Sequence, residues 1–197
     1  MLKDKLKNYN LILASGSPRR QQFFKDLGLD FEIRLKPIKE EYPSTLRYFE
    51  ITNYLAQLKS LPFESKLTDS DILVTSDTIV WFNETALGKP RNADEAFHMI
   101  RELSGNTHEV ISSICVKHKT FQKTVHDVTK VTFKELTDDE IWHYINNYSP
   151  YDKAGGYGIQ EWFGFIAVAK LEGSYFNVMG LPTHLLYETL NTIVNQE

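Results

Sequence analysis

The run Leu11-Ile12-Leu13-Ala14-Ser15-Gly16-Ser17-Pro18-Arg19-Arg20 constrains this chain more than any other stretch. Its apolar start reads as a short buried strand, and a small-residue turn follows. Pro18 suits the first position of a helix, where its missing N–H costs nothing, and Ser17 before it is a good N-cap. Phe23, Phe24 and Leu27 then fall on one helical face, and Gly28 is a natural stop. The pair Arg19–Arg20 goes against the local electrostatics, because a helix N-terminus already carries partial positive charge. An anion placed there would reverse the sign of the interaction. Backbone N–H groups at the turn, the hydroxyls of Ser15 and Ser17 and two guanidinium forks together suit a phosphate. The plainer alternative is that both arginines lie in solvent and the serines only shape the turn.

The remaining pattern is that of an α/β chain. Asp30 to Leu35 alternates like a half-exposed strand, which Pro37 ends. Ser44 is placed to cap a helix running to about Leu61, with Lys59 near its end. Phe63 to Ser70 is polar and reads as a surface connection. Leu73 to Phe82 is the strongest strand signal, rich in β-branched residues and interrupted by one acid, Asp77. Asn83-Glu84 looks like a turn, and a short return leads to Gly88-Lys89-Pro90. Asn92 with Glu95 predicts a helix start whose buried face is Ala96, Phe97, Ile100 and Leu103. Two long strands are expected over Thr107 to His118 and Lys123 to Leu136, joined as a hairpin. Thr137 with Glu140 forms a capping-box pattern, and Tyr148-Ser149-Pro150 breaks the helix that it opens. A glycine-rich segment covers Asp152 to Gln160. Phe163 to Leu171 and Ser174 to Met179 read as two further strands, and Pro182 starts a last helix.

Length and charge limit the function classes. A chain of 197 residues holds one sizeable α/β domain or two small lobes sharing a core. A net charge of −4 without a basic stripe argues against duplex nucleic acid as a partner. Local cations at Arg19, Arg20 and Lys89 suit a small polyanion better than a long one. The lone cysteine, Cys115, sits in the apolar run Val110 to Val116 and reads as a small buried hydrophobe. No Cys/His spacing suggests zinc. The charged start Met1 to Lys7 is followed by too short an apolar run for a signal peptide, and no stretch reaches membrane-spanning length. A cytoplasmic location is the resulting expectation.

Several residues are candidates for chemistry. Asp77 has apolar neighbours on both sides, and a buried carboxylate needs a cation, a metal ion or a proton. Its alternative is an Asp at a strand end, bonding backbone N–H groups. Glu40 lies in an acidic cluster of the kind usually found on solvated surface. Lys89 is held on a stiff loop, either toward a ligand or as a surface turn residue. Lys59 reads either as a phosphate ligand or as the basic last turn of a helix. Lys153 begins a glycine-rich loop where backbone can approach a ligand closely. Gln160 offers a donor and an acceptor, as reading a pyrimidine edge requires, or it satisfies loop backbone. Cations, isolated carboxylates and small-residue turns suit a polyphosphate with a divalent metal.

Six stretches in order resemble the Maf family, also called septum-formation or Maf-like proteins, which are nucleoside triphosphate pyrophosphatases. They are Leu13 to Arg20, Ser76 to Val80, Gly88 to Arg91, Leu103 to His108, Asp152 to Gln160, and Gly173 to Pro182 with a gap at Phe176. The resemblance implies a single domain over residues 1–197. Its expected form is an elongated mixed β-sheet with flanking helices and a central cleft between two lobes. It also implies hydrolysis between the α and β phosphates, with release of the monophosphate and pyrophosphate, and a divalent metal cation, magnesium or manganese. Asp77 matches the family's proton acceptor. Arg19, Thr78 and Gln160 match positions associated with base selection, in the combination of the branch acting on dTTP and UTP. Ser15, Arg20, Glu40, Lys59 and Lys89 match polar positions near the phosphates and metal, with Glu40 and Asp77 as the expected metal ligands. A homodimer is the family's tendency. The alternative is a nucleotide-sensing regulator of cell division that binds with little turnover. Three departures stand out: Glu161 where glycine is common, Gly156 where alanine is common, and Lys39 in place of an acid before Glu40. The first bears on the base pocket and the third on metal binding.

Overall fold

A computed structural model describes residues 1–194. Along the chain come α1 (Leu2–Lys5), β1 (Asn10–Leu13), α2 (Pro18–Asp26), β2 (Glu32–Ile33), α3 (Phe49–Ser60), β3 (Asp71–Phe82), β4 (Thr85–Leu87) and α4 (Ala93–Leu103). They are followed by β5 (Thr107–Lys117), β6 (Gln122–Phe133), α5 (Asp138–Tyr148), α6 (Trp162–Ala167), β7 (Val168–Glu172), α7 (Tyr175–Val178) and α8 (Thr183–Ile193). The strand order is β2-β1-β3-β5-β6-β7, with β4 also paired to β3. β1 runs parallel to both β2 and β3, whereas β4 and β7 pair antiparallel with β3 and β6. The fold is thus α/β, a mixed sheet flanked by helices. No helix among the described residues is long and apolar enough to cross a membrane.

Contacts divide the chain into two units. Among the described residues, the first holds Met1–Asp77, Ser112–Asp127 and residues 180–194. Here β1 lies beside the first half of β3, and Leu11, Ile12, Leu13, Ile72, Leu73 and Val74 are buried. Each such side chain contributes about 1.5–3 kcal/mol by leaving water. Burial on both faces explains why these strands read as continuous apolar runs. Ser17 caps α2 as expected, its hydroxyl accepting from the Arg20 amide at 3.5 Å.

Three expectations in this unit need correction. Only Glu32 and Ile33 of the strand predicted over Asp30 to Leu35 pair, and both are exposed on the edge of the sheet. The helix predicted from Ser44 begins at Phe49, because Tyr48 has a φ of 56° and the Glu50 carboxylate takes up the Arg47 amide at 3.0 Å. The predicted surface connection after Leu61 opens with a 3₁₀ turn that carries Phe63 inward. Phe63 and Leu67 pack with Ile12 and Leu73. Pro182 precedes α8, which buries Leu186, Leu190 and Ile193. The opening helix α1, not evident in the sequence pattern, buries Leu2.

The second unit holds Thr78–Ile111 and Val128–Met179. Its core joins Val80, Ile100, Leu103, Val110, Phe133, Ile141, Tyr144, Tyr157 and Phe163. The caps are those expected: Asn92 accepts from the Glu95 amide at 2.9 Å, and Thr137 and Glu140 form a reciprocal capping box. Asn83 and Glu84 both have positive φ, 47° and 58°, the conformation of a two-residue hairpin turn. The strand predicted over Phe163 to Leu171 divides differently. Phe163 and Ala167 are buried four residues apart, the period of a helix, and strand pairing begins only at Val168. Ser174 to Met179 is a short capped helix rather than a strand, with Ser174 accepting from the Asn177 amide at 3.3 Å. Asn177 is fully buried and donates to Val110 O and Thr129 Oγ1, both at 2.9 Å.

Candidate active site

Asp77 sits in β3, between β1 and β5 in the strand order, and its side chain is only 8% exposed. A carboxylate in such a position is tolerable only with a counter-charge. Lys59, in the last turn of α3, supplies it with Nζ 2.7 Å from Asp77 Oδ1. The same ammonium lies 3.1 Å from Glu40 Oε2. Two carboxylates from separate segments therefore meet at one cation. Burial raises the Asp77 carboxyl above its ordinary range, while Lys59 and, more weakly, Arg20 pull it down and Glu40 pushes it up. A carboxyl raised by burial and held beside a cation is the kind of group that general-base chemistry uses.

The first unit also holds the turn before α2. Ser15 is buried, and its hydroxyl accepts from the Ser17 amide at 3.2 Å. Arg20 is half-buried, with Nε 2.8 Å from Gly180 O and Nη1 3.0 Å from Ser76 O. Its guanidinium thus ties the start of α2 to β3 next to Asp77. Burial lowers the Arg20 pKa, whereas the charges of Asp77 and Glu40 raise it, so Arg20 senses both carboxylates. Arg19 is half-buried at the same helix terminus. Lys39 pairs with Glu41 at 2.6 Å, so this departure leaves Glu40 to Lys59.

Two carboxylates sharing a cation suit a hard divalent ion of the magnesium type, which is commonly held by one or two carboxylates together with phosphate oxygens. Among the described residues, no three His, Cys, Asp or Glu side chains form a metal cluster. Glu40 and Asp77 bring two carboxylates together, and both already face the Lys59 ammonium.

The second unit carries Thr78, Lys89 and Gln160. Thr78 is half-buried directly after Asp77. Lys89 is exposed on a loop anchored by the Gly155 amide, which donates to Gly88 O at 2.9 Å. Gln160 is half-buried. The loop leading to it is held from several directions. Tyr157 meets buried His108, hydroxyl to Nε2, at 2.7 Å. Burial drives the His108 pKa down to about 3, so its imidazole is neutral. The Gly158 amide donates to the Tyr144 hydroxyl at 2.9 Å. Gly164 lies so close to Ile159 that a Cβ there would stand 1.7 Å from its carbonyl oxygen. A cavity of about 290 Å³ in this unit is lined by Trp81, Asn83, His108, Glu109 and Lys130 among others, and by none of the expected site residues.

Sequence reasoning named the residues of the first unit but not their pairing. It read Lys59 as a phosphate ligand or a helix-end cation, and the structure gives it to Asp77 and Glu40. The supports of the Gln160 loop, His108 and Tyr144, were not singled out. Their pairing with the loop comes from packing across sequence separations of 49 and 14 residues, which leaves no local signal.

The family described as Maf-like protein matches residues 10–193. The dTTP/UTP pyrophosphatase of Flavobacterium johnsoniae is 66% identical over 194 residues, covering 98% of this chain and 100% of that protein. That of Flavobacterium psychrophilum is 54% identical over 95% of this chain and 96% of its own length. That of Phocaeicola vulgatus is 46% identical over 96% and 99%. With a family match running from β1 to the end of α8 and relatives this similar along their whole lengths, the chain belongs to the Maf-like protein family.

Proposed function

We propose that this chain hydrolyses dTTP and UTP to the monophosphate and pyrophosphate. The observation that carries the reading is the buried Asp77, poised by Lys59 and Glu40 beside the turn that starts α2. The relatives named as dTTP/UTP pyrophosphatases support the choice of substrates.

Ser15 and Arg19 hold the triphosphate at the helix N-terminus, with Lys89 as a further cation. Arg20 is tied to two carbonyls and acts on the phosphates through its fixed charge. Lys59 holds Asp77 Oδ1, and the other oxygen accepts a proton from the attacking water. The water oxygen bonds to the α phosphorus as the bond from that phosphorus to the α–β bridging oxygen breaks, and pyrophosphate leaves with the bridging oxygen. Glu40 would hold a magnesium or manganese ion, which would neutralise charge on the phosphate oxygens; Asp77 is the second candidate donor only in place of its role as base, since one carboxylate does not readily serve as metal ligand and free base at once. Arg19, Thr78 and Gln160 select the base, with Gln160 offering a donor and an acceptor to a pyrimidine edge. The same reading makes residues 1–197 one functional domain acting in the cytoplasm, capable of forming a homodimer and without a nucleic-acid partner.

The test is product formation from UTP and dTTP with magnesium, comparing the parent chain with Asp77→Asn. Turnover in the variant should fall by at least about a hundredfold, the scale of a lost general base. Near-parental turnover in Asp77→Asn removes Asp77 from the mechanism. Saturable binding with no monophosphate from the parent chain favours a sensor instead.

A further inference from the structure

We propose that Glu161 is a positioning residue for Gln160 and thereby sets how strongly this chain prefers pyrimidine triphosphates. This rests on the assignment of Gln160 as a base reader. Glu161 directly follows Gln160. Its carboxylate is not aimed at bulk solvent, since the side chain is only 22% exposed. Oε2 accepts from the Tyr144 hydroxyl at 2.5 Å, and Oε1 lies 3.1 Å from Lys153 Nζ.

Each partner reaches back to the loop that carries Gln160. The Tyr144 hydroxyl takes the Gly158 amide at 2.9 Å, so Glu161 orients the group that fixes Gly158. Burial, reinforced by the adjacent carboxylate, pushes the Tyr144 hydroxyl up, which keeps it protonated and donating to Glu161. Lys153 is buried and is shared with Asp152 at 2.7 Å. The ion pair lies close against the loop. A Cβ at Gly158 would stand 2.9 Å from Lys153 Cε and 3.0 Å from Glu161 Cδ. The residues from Gly158 to Glu161 are therefore closed into a ring of backbone, hydroxyl, carboxylate and ammonium. Removing the carboxylate takes the acceptor from the Tyr144 hydroxyl and leaves buried Lys153, among the described residues, to the mostly exposed Asp152. The loop then loses its fixed direction, and a side chain on it reads a base less sharply.

The experiment compares kcat and KM for UTP and GTP in the parent chain, Glu161→Ala, Glu161→Gln and Gln160→Ala. Glu161→Ala should lower the ratio of kcat/KM for UTP over GTP by about tenfold, the scale of one lost charge-assisted hydrogen bond. The change should appear as a higher KM for UTP, with kcat altered by less than about threefold, because chemistry at Asp77 is untouched. Glu161→Gln keeps an oxygen acceptor for Tyr144 and should recover part of the preference. A purely structural role would lower thermal stability without separating KM from kcat or UTP from GTP. An unchanged preference in Glu161→Ala, while Gln160→Ala loses it, overturns this inference alone. Unchanged preference in Gln160→Ala overturns the base-reading assignment and this inference with it. If Glu161→Ala does not fold, Glu161→Gln decides: a UTP preference below the parental value supports the inference, and a fully parental preference overturns it, because the carboxylate charge that pairs with Lys153 then contributes nothing.

Discussion

Replacing Lys59 with methionine separates two roles for this residue that are indistinguishable in the sequence. Methionine keeps the length and apolar stem but removes the ammonium that lies 2.7 Å from Asp77 and 3.1 Å from Glu40. The Asp77 carboxyl is already above its ordinary value through burial, and Lys59 is the larger of the two influences restraining it. Without Lys59, burial and Glu40 act upward against Arg20 alone. Losing a contacting opposite charge removes the main restraint on the raised carboxyl, so the Asp77 pKa should climb further. The proposed mechanism needs the ionised form. Below the new pKa the active fraction falls about tenfold for each pH unit, and above it activity returns. The assay is kcat/KM for UTP at saturating magnesium across the pH range in which the parent chain stays folded. The acid limb should move to higher pH by at least about one unit, with most of the loss recovered on the alkaline side. Lys59→Arg, which keeps the charge, should leave the limb near its parental position. If Lys59 instead served only to grip phosphate, Lys59→Met would raise KM by the same factor at every pH. A loss that does not vary with pH would therefore refute the argument that Lys59 acts through Asp77.

Two further outcomes follow from buried groups. His108 has a folded pKa of about 3 against 6.5 when free, so below 6.5 the unfolded chain binds the extra proton and stability falls as pH drops toward 3. Between pH 7 and pH 5 this amounts to about 2 kcal/mol, and the difference in urea stability between the parent chain and His108→Gln should shrink by that amount; a constant difference would exclude His108 as the titrating group. Arg20→Lys replaces a fork that reaches Gly180 O and Ser76 O with a single ammonium. Stability should fall by about 1–3 kcal/mol in urea unfolding, and an unchanged midpoint would show that the two carbonyl contacts contribute nothing.

The features that could be read from the sequence are those decided within a few residues. Ser17-Pro18, Asn92 with Glu95, and Thr137 with Glu140 satisfy helix donors locally, and all three caps form as their spacing demands. Where tertiary contact decided, composition misled. Phe163 to Leu171 is apolar enough for a strand, but burial of Phe163 and Ala167 on one face makes its first half helical. Ser44 could cap a helix, yet Glu50 captures the Arg47 amide and starts α3 later. The active-site residues divide in the same way. Asp77 is conspicuous because a lone acid in a β-branched run has no local means of paying its desolvation cost. Its partner cannot be read from spacing, since Lys59 reaches it only through the packing of α3 near β3. That same packing sets the charge on Asp77: burial favours its protonated form, and the Lys59 ammonium favours the carboxylate. The electrostatic setting of Asp77 therefore requires the helix as much as the strand, and identity at Asp77 alone does not specify the reactivity of a related chain.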